Sequence, residues 1–149
     1  MDKELKTLSI SEQNYISTAI VLLLNSYPDL PVDKVIFGSI NKDGGMAIYP
    51  MSGAVVLNED ICGNKECQYP FFILYRAMPT TSNQRINSKE FLDKIGEFLE
   101  ESTYPELTGN RLIKSIARTS PSFGVAKYDD GSEDWQININ LIYKIESEE

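Results

Sequence analysis

The feature that most restricts the fold is an alternation near the C-terminus. Trp135, Ile137, Ile139, Leu141, Tyr143 and Ile145 take every second position. Gln136, Asn138, Asn140 and Lys144 lie between them, with Ile142 as the exception. Successive side chains of an extended chain point to opposite faces, so a period of two describes a strand with one apolar and one amide-rich face. Such a strand suits a largely antiparallel sheet that is covered on one side. Its amide face must then meet water or another polar surface.

Two helical stripes supply the cover. Ile16, Ala19, Ile20, Leu23, Leu24 and Tyr27 recur at helical spacing and predict a helix from about Ser11 to Ser26. Ser9 and Glu12 have capping-box spacing, and Pro28 forbids continuation. A second helix is predicted behind a Ser88 cap, with Phe91, Leu92, Ile95, Phe98 and Leu99 on its apolar face. Lys89, Glu90, Asp93, Lys94, Glu97 and Glu100 line the rest, Gly96 weakens it, and Pro105 follows its end.

Short strands fill the interval. Val35-Ile36-Phe37 and Met46–Tyr49 flank the turn signal Asn41-Lys42-Asp43-Gly44-Gly45 and read as a hairpin, with Pro50 at its exit. Ala54–Leu57 reads as a strand and Gly63-Asn64-Lys65 as a turn. Tyr69–Met78, apolar on both faces, reads as a central strand. Leu112–Thr119 is a further strand, and Tyr128-Asp129-Asp130-Gly131 is a hairpin loop before the final one. The order predicts an α+β fold: a largely antiparallel mixed sheet with two helices packed on one face. One domain over residues 1–149 is expected, with flexible ends at 1–8 and 146–149.

Charge and composition exclude several function classes. Fourteen basic against twenty-two acidic residues give −8. Nucleic-acid binding by phosphate neutralisation leaves a basic footprint, and anionic membranes attract cations, so neither partner is expected. The apolar run Ala19–Leu24 falls far short of the ~20 residues that span a bilayer. Met1-Asp2-Lys3-Glu4 does not open a signal peptide, and a reducing cytoplasm is the expected compartment. The chain has no histidine, which removes the commonest general base and zinc ligand.

No pattern of reactive residues replaces it. Neither G-x-x-x-x-G-K-[ST] nor G-x-G-x-x-G occurs. Cys62 and Cys67 are too few for a disulfide scaffold, and a zinc site would need two further ligands from carboxylates or another chain; they read as cysteines flanking a hairpin tip, opposite each other across two strands, with an adventitious disulfide as the alternative. Glu90, Asp93 and Glu97 form a solvated helix side. Asp129, Asp130, Glu133 and Asp134 lack the register of a calcium loop. Lys114 and Ser115 are adjacent on a strand and point apart, so they make no catalytic dyad. No enzyme activity, cofactor or metal is expected.

Surface residues remain. Gln136, Asn138 and Asn140 form an amide row that is either solvated or a polar subunit contact. Arg76, Arg85, Arg111 and Arg118 are the only arginines, and read either as scattered surface charges or as a basic patch toward a neighbouring copy. The tip Lys42-Asp43-Gly44-Gly45 and the loop Tyr128-Asp129-Asp130 are candidate partner contacts because turn tips project from a sheet.

Taken in order, several segments carry a resemblance: Ala47-Ile48-Tyr49-Pro50, Gln68-Tyr69-Pro70-Phe71-Phe72, Arg85-Ile86-Asn87, Pro121-Ser122-Phe123-Gly124 and Asp129-Asp130-Gly131 before the final strand. The chain resembles the small tail-terminator proteins of tailed bacteriophages and prophages of Gram-positive bacteria, often labelled minor capsid proteins, over about Ser11 to Ile145. Gly63-Asn64-Lys65-Glu66-Cys67 departs from the plain turn expected there. The resemblance implies a structural protein that forms a ring, usually a hexamer. That ring caps the tail tube, stops its polymerisation and presents a surface to the head–tail connector, with the sheath as a further neighbour. It also implies assembly in the bacterial cytoplasm and residence in the virion tail, or as the collar of headless phage-tail-like bacteriocins. The competing expectation, from size and acidity, is a small immunity or inhibitor protein that binds a basic toxin.

Overall fold

The computed structural model describes residues 6–30, 34–40, 44–79, 81–101, 104 and 107–147. Its elements run α1 (Ile10–Asn25), β1 (Val35–Phe37), β2 (Gly45–Pro50), β3 (Val55–Glu59), β4 (Lys65–Ala77), α2 (Ser82–Glu101), β5 (Arg111–Arg118), β6 (Phe123–Lys127) and β7 (Glu133–Ile145). The fold is α+β, and the seven strands form one mixed, mostly antiparallel sheet in the order β1-β2-β4-β7-β5. β3 adds to the outer side of β4, and β6 to the outer side of β7.

β4 and β7 are the spine. Each is thirteen residues long, and they pair antiparallel from Lys65 opposite Ile145 to Ala77 opposite Glu133. Their alternation places the pairs Tyr69–Leu141, Phe71–Ile139 and Ile73–Ile137 on one face, where all six are buried. Both helices lie there. Ser17 of α1 shares a 2.5 Å hydrogen bond with the Tyr69 hydroxyl, and Gly96 of α2 approaches the Ile137 side chain. Ile16, Ile20, Leu23 and Leu24 of α1 and Leu92, Ile95 and Leu99 of α2 close the core, each buried side chain contributing roughly 1.5–3 kcal/mol of transfer free energy.

The first helix begins as predicted, with half of its capping box formed. The Glu12 N–H donates to the Ser9 hydroxyl at 3.2 Å. The Glu12 carboxylate turns to Arg111 and Tyr143 instead of back to the cap. The second helix starts earlier than predicted. Thr81 Oγ1 accepts from the Gln84 N–H at 3.2 Å, and Ser88 lies inside the helix with its hydroxyl on the Gln84 carbonyl. Arg85-Ile86-Asn87 is therefore helical. Serine bonds local backbone both at caps and within helices, so its presence does not fix a boundary.

The expected hairpin between the first two strands is absent. β1 runs parallel to β2, with Val35 opposite Met46 and Phe37 opposite Ile48. Parallel neighbours ordinarily need a crossover of about a dozen residues or more. Here β1 is three residues long, so the chain has only about 10 Å to regain. The cysteines also sit differently from the expectation. Cys62 is exposed in the β3–β4 turn, whereas Cys67 is buried on β4, opposite Val56 and Tyr143. β6 was not anticipated as a strand.

Gly96 marks the closest approach of α2 to the sheet. A Cβ there would lie 2.5 Å from Arg118 Cδ and 3.0 Å from Ile137 Cδ1. Alanine gains about 1 kcal/mol of helix propensity, but overpacking costs about 1–3 kcal/mol. Gly96→Ala should therefore lower stability by about 1 kcal/mol in urea unfolding. A second substitution, Arg118→Ala, should recover part of the overpacking cost.

Candidate assembly surface

Sheet edges offer unpaired backbone groups, and among the described residues hydrogen bonds from outside the ladders cover β1, β3 and β5. On β1, the Asn25 amide accepts from the Val35 N–H at 2.7 Å and donates to the Val35 carbonyl at 3.1 Å, in the place of a further strand. Along β3, the Val56 N–H bonds the Lys6 carbonyl and the Leu8 N–H bonds the Ala54 carbonyl. On β5, the Ile116 N–H donates to the Tyr104 hydroxyl and the Arg118 N–H to Glu100 Oε2, both at 3.2 Å. Such blocking is how sheet proteins avoid unwanted pairing. β6 carries no comparable cap among the described residues.

The second face of the sheet bears neither helix. The register sets Tyr49 beside Phe72, Ala47 beside Leu74, Pro70 beside Asn140 and Gln68 beside Ile142 on that side. The Tyr49 and Phe72 rings stack with centroids 5.2 Å apart and planes 15° from parallel. The predicted amides join them: Gln136 Nε2 donates to Asn138 Oδ1 at 2.8 Å, and Asn140 Nδ2 donates to Gln68 Oε1 at 3.3 Å. Gln68 Nε2 in turn donates to the Gly53 carbonyl at 3.0 Å. Asn140 Oδ1 is buried with no hydrogen-bond partner among the described residues. The middle of this face is aromatic, aliphatic and amide, and its charges sit at the two ends, Arg76 with Asp134, and Glu66 with Lys114 and with Lys144 opposite it.

All four arginines are engaged within the chain. Arg76 holds Asp134 in a two-pronged contact at 2.7 and 2.9 Å, and the Tyr128 hydroxyl donates to Asp134 Oδ2 at 2.6 Å. Burial pulls the Asp134 carboxyl upward, but these donors win and hold it below the usual carboxylate range. The other three tie helices to strands. Arg85 of α2 bonds Glu133, Arg111 of β5 bonds Glu12 of α1, and Arg118 of β5 bonds Glu100 of α2. The bond from Arg111 lowers the Glu12 carboxyl, against the upward pull of burial.

The candidate loops are placed unevenly. Lys42 and Asp43 lie outside the described residues, and Gly44 and Gly45 lead into β2. In the β6–β7 loop, Asp130 Oδ1 accepts from the Ser132 N–H and hydroxyl, while Asp129 is exposed beside it. Exposed carboxylates occur both there and at Glu59 and Asp60, beside the opposite end of the spine, so they do not converge on one patch. No group of three or more possible metal ligands occurs among the described residues. A scan against protein-family models finds no match to this sequence, and a search of curated proteins finds none either. Among the described residues, no helix is long and apolar enough to cross a membrane.

Tyr49, Phe72, Leu74, Pro70 and Ile142 belong to this surface and were not among the contact residues expected from sequence. A signal for them existed: the central strand is apolar on both faces, and only one face can meet the two helices.

Proposed function

We propose that this protein is a ring-forming tail terminator, whose copies close into a ring on the tail tube and stop its growth by occupying the surface the next tube ring would use. The uncovered sheet face carries this reading. Its centre combines stacked aromatics and aliphatic residues with few charges, the composition that distinguishes the buried centre of a protein interface. We assign this face to the tail tube protein. The ends, Arg76 with Asp134 and Glu66 with Lys114 and Lys144, make a polar rim around that centre. A closed ring also needs contacts between two different surfaces of the chain. An excess of eight negative charges per copy would let phosphate-bearing DNA pass without sticking.

Electron microscopy of purified tail tubes mixed with the protein tests the assignment. Rings at one tube end, with tubes no longer extending, are expected; bare and growing ends would refute it. Phe72→Lys puts a charge in the centre of the face and should reduce the fraction of capped tubes at least tenfold, with cooperative thermal unfolding retained. Unchanged capping by that variant would move the tube contact elsewhere.

A further inference from the structure

We draw no further inference here: the strongest candidate, the groove of about 530 Å³ along the outer side of α1 that Tyr15, Ala19, Leu22 and Leu107 help line, is an unpartnered apolar face, and nothing in the structure shows what covers it.

Discussion

Arg76→Met should lower the stability of this protein by about 3–5 kcal/mol at neutral pH, the range seen when one partner of a buried ion pair is removed. The size follows from what stays behind. The Asp134 side chain is 4% exposed and sits directly across the sheet from Arg76. Without the guanidinium it keeps one donor, the Tyr128 hydroxyl. A buried carboxylate with one donor either remains charged at high cost or takes up a proton, and its pKa rises. Against a typical total of about 5–15 kcal/mol, this is a large fraction. Urea unfolding at pH 7 measures it. The double variant Arg76→Met with Asp134→Asn should be more stable than Arg76→Met alone, because it removes the stranded charge. If the single variant unfolds at the wild-type urea midpoint, the pair contributes nothing and the end of the spine is held by packing alone.

This pair also shows where sequence reasoning stops. Arg76 and Asp134 are fifty-eight positions apart, and nothing local to either marks the other. The final strand was legible because its alternation is set by burial on one face, which every residue from Trp135 to Ile145 except Ile142 reports. The first helix was legible for the same reason, through a stripe ending at Pro28. β6 was not, because Phe123, Gly124, Val125 and Lys127 are all exposed, so no pattern of burial is written into it. The parallel pairing of β1 escaped because a Gly-rich turn signal reports a change of direction and not which side of the next strand the chain rejoins. Gly96 was visible only as a weak helix former; its packing reason lies in Arg118 and Ile137, which no helical periodicity contains. The amide row of the final strand was legible as a face. Its neighbours Tyr49 and Phe72 were not, since their meeting depends on the register between β2 and β4.

Arg111→Met should cost a comparable amount at neutral pH, about 3 kcal/mol, and the cost should shrink in acid. Glu12 joins three elements: its carboxylate accepts from Arg111 at 2.6 and 2.8 Å and from the Tyr143 hydroxyl at 2.9 Å, linking α1 to β5 and β7. Hydrogen bonding from Arg111 holds the folded-state pKa of Glu12 below its unfolded value of about 4.3. For a carboxyl lowered on folding, the unfolded chain binds more protons, so the stability it contributes is fully present above the unfolded pKa. That stability is lost as the pH falls through the folded one. The variant keeps the burial and loses the guanidinium, so its Glu12 carboxyl titrates higher and is already neutral where the wild type is still charged. Wild type should therefore lose stability more steeply than Arg111→Met below about pH 4.5, and the two urea midpoints should converge. A gap between them that stays constant from pH 7 to pH 3 would show that Arg111 acts through its packing on the Tyr15 ring, 4.3 Å away, and not through the charge on Glu12.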